Sequence, residues 1–224
     1  MNVVITGANR GIGLELAKEY KNLGYKVIGT SRYPLSSTTL QEEIGLENVI
    51  PLDISNETSI TEFYDSLIQK TNSQIDIFIN NAGTRGERGL QENLSHDVML
   101  DTINTNSVGP TILIKSMKSV LSNSKIAIIT SGMGSISKTM SGDLSYRMSK
   151  AAINMAGRNL HMEFKRQKTI ILLIHPGWVK TDMGGDNADI TVSESAKGII
   201  NVIDNSNHEN SGTFIDYNGK EIPW

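Results

Sequence analysis

Seven short runs rich in Val, Ile and Leu punctuate the chain, at 2–6, 26–30, 48–52, 75–80, 125–130, 169–175 and 213–216. Several are almost continuously apolar, the pattern of strands covered on both faces rather than the alternation of a half-exposed sheet. Between them the apolar spacing becomes helical. Ile12, Leu16, Tyr20 and Leu23 recur on one side of a segment that Gly24 can stop. Ile60, Phe63, Tyr64, Leu67 and Ile68 line another, which Ser55 or Asn56 can cap. Longer helical stretches are expected around 96–121 and 145–166, and a shorter one around 193–205. The stretches 33–39 and 184–191 read as flexible loops. Strand and helix alternate throughout, which predicts an α/β fold: a doubly wound, mainly parallel seven-stranded sheet with helices on both faces, in a single domain spanning 1–224.

In such a sheet ligands sit beyond the carboxyl ends of the strands, and the polar punctuation falls there. Thr6-Gly7-Ala8-Asn9-Arg10-Gly11-Ile12-Gly13 joins the first strand to the first helix. Residues without side chains allow a sharp turn and let a pyrophosphate approach the N–H groups at the helix start. A dinucleotide site is expected here, although glycine clusters also make ordinary turns. Asn80-Asn81-Ala82-Gly83 ends the fourth run, where small residues let the backbone lie close to a cofactor ribose or to the first glycine loop. Ser131 follows the fifth run and opens a Gly-rich turn, a position from which a hydroxyl can hold a substrate oxygen; neighbouring Thr130 is the possible substitute.

Tyr146 and Lys150 stand four apart, one turn up the same helical face. An unperturbed phenol, with a pKa of about 10, is a poor acid–base group at neutral pH. An adjacent ammonium favours the phenolate, so the pair can pass a proton to or from a carbonyl or alcohol. Asn106, inside a helical stretch and shortly before Gly109-Pro110, suggests a local distortion or a bound water.

Composition narrows the reading. Net charge is −3, with no basic cluster for nucleic acid or a membrane surface. There are no cysteines, which excludes disulfides and thiol chemistry, and the four histidines are scattered without metal-ligand spacing. No apolar run approaches membrane-spanning length. The first strand opens almost at residue 1, so no signal peptide is expected and the cytoplasm is the expected compartment.

These motifs together resemble the short-chain dehydrogenase/reductase family along essentially the whole chain: 6–13, Asp53, 80–83, Asn106, Ser131, Tyr146/Lys150 and His175-Pro176-Gly177-Trp178-Val179-Lys180-Thr181. Within it, the tracts 130–136, 146–152, 181–185 and 216–224 resemble the C-factor-like carbonyl-reductase branch. The resemblance implies a Rossmann-type fold and a carbonyl reductase. Tyr146 would be the acid/base, with Lys150 lowering its pKa and binding the nicotinamide ribose. Ser131 would hold the substrate oxygen, and Asn106 a water joining Lys150 to a proton relay. Gly7, Asn9, Arg10, Gly11, Ile12 and Gly13 would line the cofactor's phosphates. Asp53 and Ile54 would meet the adenine, Asn81, Ala82 and Gly83 the adenosine ribose side, and Val179 and Thr181 the carboxamide.

The second strand ends Thr30-Ser31-Arg32, with no Asp or Glu until Glu42. An acidic residue there would repel a ribose 2′-phosphate; Ser31, Arg32 and Arg10 can bind one, so NADP(H) is expected over NAD(H). The expected substrate is a small neutral carbonyl or secondary alcohol. A homodimer or homotetramer is expected, built partly on a stripe of Met148, Met155 and Met162 roughly opposite Tyr146. The other readings are a cofactor-binding regulatory or signalling protein of the same fold with little turnover, and a sugar epimerase or dehydratase of the related extended fold, whose glycine spacing differs.

Overall fold

In the computed structural model, which describes residues 1–86 and 94–224, all seven expected strands form. They are β1 (Asn2–Ile5), β2 (Lys26–Ser31), β3 (Val49–Pro51), β4 (Ile77–Asn80), β5 (Lys125–Ile129), β6 (Ile170–His175) and β7 (Phe214–Asp216). They build one sheet in the order β3-β2-β1-β4-β5-β6-β7. Every strand pairing in it is parallel. The order reverses between β1 and β4, so the loops leaving these two neighbours part to opposite sides and open a crevice.

Strand geometry sends successive side chains to opposite faces. Val3 and Ile5 join one buried layer with Leu16, Ala17 and Tyr20 of α1 (Gly11–Asn22) and with Ile199 and Ile203 of α7 (Val192–Asp204). Val4 joins the other, with Phe63 and Leu67 of α3 (Glu57–Thr71), Leu113 of α5 (Gly109–Ser116), and Ile153 and Phe164 of α6 (Leu144–Phe164). Helices therefore cover both faces, as the apolar runs require. Asn56, one of the two expected caps, accepts the Ser59 N–H at 3.0 Å at the head of α3.

Two elements differ from the sequence expectation. The stretch read as a loop from 33 contains a single turn, Pro34–Ser36, and then runs into a short helix, α2 (Thr38–Ile44). Only Leu40 and Ile44, one turn apart, anchor α2 to the core, too brief a period to stand out in sequence. The long helix expected over 96–121 is interrupted. Between α4 (His96–Ile103) and α5 lies a wide π-helical turn, Asn104–Val108. Two Asn in a row of weak helix formers, and a Pro at 110 that lacks an N–H, account for the break. A side chain on Gly109 would lie 1.8 Å from the Ile54 carbonyl oxygen, so glycine lets α5 press against the loop after β3.

The methionine stripe lies on the outside of α6: Met148, Met155 and Met162 are 41%, 71% and 62% exposed. No described helix is long and apolar enough to cross a membrane.

Candidate active site

The crevice between β1 and β4 is held by polar contacts that sequence motifs only outline. Thr6, buried at the end of β1, accepts the N–H groups of Asn81 and Ala82 on its hydroxyl, each at 3.0 Å. The Asn81 amide donates back to the carbonyls of Thr6 and Gly7, both at 3.0 Å. The Asn81 side chain thus fixes the glycine loop, the second of the two roles open to this segment. Gly7 has φ +63°, and a Cβ there would lie 2.9 Å from Ala82 Cα. A Cβ on Gly13 would lie 2.4 Å from the Gly7 carbonyl oxygen. Gly11, also left-handed, faces the Thr181 methyl. The crevice floor is bare backbone at the head of α1, which fits a pyrophosphate. Asn9 and Arg10 are exposed on the loop, and Ile12 packs partly into the core behind it.

On the β3 side, Asp53 accepts the Ser55 N–H at 3.0 Å and the Ser55 hydroxyl at 2.6 Å. Ile54 is 4% exposed, so its side chain belongs to the core and only its backbone can face an adenine. Ser31 is buried; its hydroxyl accepts the Tyr33 N–H at 3.1 Å and lies 2.8 Å from the Ser37 hydroxyl, organising the turn. Arg32 is exposed just beyond it. Arg10 reaches across the crevice and pairs with Asp182 at 2.6 Å. Both groups lie mostly in water, where such a pair contributes little and is readily exchanged for a phosphate.

The four residues expected to do chemistry converge beyond β4 and β5. Asn106 is buried in the π-helical turn. Its amide donates to the Thr84 carbonyl at 2.7 Å and the Ser149 hydroxyl at 2.9 Å, and its oxygen accepts the Thr84 N–H at 2.8 Å. The distortion anticipated at this position therefore places a side chain that bridges the β4 exit loop to α6. Gly83 lies against this bridge, a Cβ there being 3.1 Å from Asn106 Oδ1 and 3.8 Å from Lys150 Nζ. Ser131 accepts the Met133 N–H at 3.1 Å, and its side chain favours the ionised Tyr146 phenol. Thr130 instead faces inward, its hydroxyl donating to Asn154 at 2.7 Å. Val179 is buried and pairs with Ile190; its carbonyl accepts the Thr181 hydroxyl at 3.3 Å.

Burial is the largest electrostatic influence on both members of the Tyr146–Lys150 pair. Burial dominates at Tyr146 and pushes its phenol pKa up; the Ser131 hydrogen bond and the Arg85 guanidinium pull it down, and Asp143 pushes it up. Lys150 lies beside the same ring. Its ammonium stands 5.6 Å from the Tyr146 ring centroid and donates to the Ile129 carbonyl at 3.1 Å. Burial brings its own pKa down to about 8. Sequence reasoning missed Arg85, Asp143 and Ser149. The signal for Arg85 was a cation two residues beyond Asn80-Asn81-Ala82-Gly83; Ser149 carries no mark beyond its place beside Lys150.

Known proteins resemble this chain in sequence and in fold. Residues 1–190 match the sequence profile of the short chain dehydrogenases. C-signal of Myxococcus xanthus is 40% identical over 154 residues, covering 67% of this chain and 93% of that protein. The 1-hydroxy-2-glutathionyl-2-methyl-3-butene dehydrogenase of Rhodococcus sp. (strain AD45) is 30% identical over 233 residues, covering 99% of each. The NADPH-bound carbonyl reductase from chicken fatty liver superposes with a TM-score of 0.92 at 31% identity, covering 100% of this chain and 98% of that one. The chain belongs to the short-chain dehydrogenase family. It is an oxidoreductase of that family, similar in fold to NADP-bound carbonyl reductases.

Proposed function

We propose that the chain, acting as one unit over 1–224, interconverts a small neutral carbonyl compound and its secondary alcohol with Tyr146 as the acid/base. The observation that carries this reading is that four side chains gather at one place: Ser131 acts on the Tyr146 phenol, the Lys150 ammonium stands 5.6 Å from its ring centroid, and Asn106 donates to Ser149, next to Lys150. When bound, the nicotinamide supplies or accepts the hydride. Gly7, Gly11 and Gly13 leave room for its pyrophosphate, and Lys150 would bind its ribose hydroxyls. Ser131 and Tyr146 together present two hydroxyls to one substrate oxygen. In reduction Ser131 orients and polarises that oxygen while Tyr146 gives it a proton; in oxidation Tyr146 takes the proton back. Asn106 keeps the β4 exit loop and α6 at a fixed separation while this happens.

Asp182, Asp186 and Asp189 in the stretch beside Thr181 disfavour an anionic substrate. A screen with NADPH across aldehydes, ketones, diketones and quinones tests the class; turnover confined to anionic conjugates would overturn it. A regulatory protein with little turnover is favoured only by the name of the C-signal relative, and the assembled Asn-Ser-Tyr-Lys set supports the enzyme.

NADPH is preferred over NADH in this reading, because Arg32 and Ser31 close the β2 end of the crevice and the Arg10–Asp182 pair is labile. The expected kcat/KM ratio favours NADPH. Arg32→Asp shifts it toward NADH by about 10-fold or more through cofactor KM, the scale of one charge-assisted contact replaced by repulsion. Equal values for the two cofactors in the unaltered chain would sink the preference.

The exposed methionines on α6 are read as part of a homodimer or homotetramer interface. Light scattering at micromolar concentration checks this; a monomeric mass removes it.

A further inference from the structure

The polypeptide that leads from Ser131 to Tyr146 begins in a tight turn, and the fold grips that turn from two sides. The Gly134 and Ser135 N–H groups close it by donating to the Ser131 and Gly132 carbonyls at 2.9 and 3.1 Å. Its inner side lies against α6. A side chain on Gly134 would stand 2.7 Å from the Lys150 carbonyl carbon, and the Asn154 amide donates to the Gly134 carbonyl at 3.4 Å. Its outer side meets Pro223 and Trp224. The Ser135 hydroxyl donates to the Pro223 carbonyl at 2.6 Å and accepts the Lys138 N–H at 3.2 Å. The Trp224 main-chain oxygen accepts the N–H and the hydroxyl of Ser137 at 3.0 and 2.5 Å. Ser135 is buried, so its bond to Pro223 is shielded from competing water. The two outer residues are themselves fastened to the edge of the sheet. After β7 the chain turns back, Ile215 and Glu221 pair antiparallel, and the Ile222 N–H donates to the Phe214 carbonyl at 2.8 Å. The Trp224 ring then lies 5.5 Å from the Phe214 ring, centroid to centroid.

We propose that Pro223 and Trp224 are positioning residues for substrate binding: they strap the turn after Ser131 to β7 and keep the wall beside Ser131 in the form that receives a carbonyl compound. The inference rests on the reading of Ser131 as the holder of the substrate oxygen. Three hydrogen bonds run from the 135–137 stretch to the strap. Without them the turn keeps its own two backbone bonds and the long Asn154 contact. A turn that opens part of the time binds substrate only in its closed fraction. Apparent affinity falls by that fraction, while substrate already bound reacts as before. Ser131 keeps its bond to the Met133 N–H inside the turn, so its hydroxyl stays aimed in the closed form. The glycine loop leaves β1, four places along the sheet from β7, so cofactor binding is spared.

That division between substrate and cofactor gives the test its shape. Reduction of diacetyl by NADPH is followed for the unaltered chain, a chain ending at Ile222, the double variant Ser135→Ala with Ser137→Ala, Trp224→Phe and Ser131→Ala. The chain ending at Ile222 raises KM for diacetyl about 5-fold, the change expected if the closed fraction drops to about a fifth. The double variant raises it about 3-fold, because the Ser137 N–H bond to Trp224 remains. In both, kcat and the dissociation constant for NADPH stay within about 2-fold, which is less than 1 kcal/mol. Trp224→Phe retains the main-chain oxygen and an aromatic ring over Phe214, and it keeps the KM of the unaltered chain. Hydrogen exchange read by mass spectrometry speeds up over 132–138 in the two weakened forms and not over the glycine loop. An unchanged KM in a folded variant that lacks the strap overturns the inference. So does a rise in KM matched by an equal rise in the NADPH dissociation constant, the mark of general loosening. Should the shortened chain fail to fold, the double variant decides. Ser131→Ala judges the underlying reading separately: if it keeps both kcat and KM, Ser131 does not hold the substrate oxygen, an outcome independent of the exchange that reads the strap.

Discussion

Tyr146→Phe is expected to lower carbonyl reduction by about 10²- to 10⁴-fold, the range that a positioned general acid contributes. The dissociation constant for NADPH should stay within about 2-fold, since a 2-fold change is less than 1 kcal/mol and only the hydroxyl is removed. The ring remains packed beside the Lys150 ammonium, so the helix and the cofactor crevice keep their shape. What disappears is the proton and the contact with Ser131. Steady-state kinetics with a fluorescence titration of NADPH separates the two effects. A variant that keeps most of its kcat on a good substrate shows that another group handles the proton.

Lys150→Met should abolish most turnover and at the same time make the protein more heat-resistant when no cofactor is added. The lysine is buried, with one hydrogen bond to the Ile129 carbonyl, and burial brings its pKa from 10.5 down to about 8. Keeping the charged form in the fold at neutral pH therefore costs on the order of 3 kcal/mol. Methionine removes that cost and loses a hydrogen bond worth about 1 kcal/mol. The balance of about 2 kcal/mol corresponds to roughly 4–8 °C in Tm for a chain of this size. The sign with pH follows from linkage. Between about 8 and 10.5 the unfolded chain holds the proton and the folded chain has released it, so stability of the unaltered protein rises with pH across that window. The advantage of Lys150→Met is full below pH 8 and gone by the upper end. Calorimetry across this range checks it; a lower Tm for Lys150→Met at pH 7 would contradict the account. Stability given up at one buried cation is what the proposed hold on ribose hydroxyls would entail.

The strands were legible in sequence because parallel strands buried on both faces are continuous apolar runs, and nothing else in the chain looks like them. The long helices were legible through their period. The short helix α2 was not, because two anchors one turn apart do not make a pattern. The site was legible where backbone geometry demands glycine: Gly7 is crowded by Ala82, Gly13 by the Gly7 carbonyl, and Gly11 takes a left-handed turn against Thr181. It was legible also at Tyr146 and Lys150, which share a helical face. It failed where function depends on what the fold brings together from a distance. Arg85 and Asp143 are 58 residues apart, and nothing in either segment announces the other. Spacing puts Lys150 near Tyr146, but only the fold shows that its ammonium also donates to the Ile129 carbonyl.

The wide turn at Asn104–Val108 also fixes how many residues the chain must spend between α4 and α5. A π-helical turn holds about one residue more than an α-helical one. Removing a residue there would restore a regular helix, yet every residue adds about 100° of rotation, so α4 and the β4 exit loop would no longer face α6 through Asn106. Surface loops in this fold are free to change length over generations; this stretch is not, because its count of residues is itself what aims a side chain. Insertions and deletions should therefore pass it by even where its side chains vary.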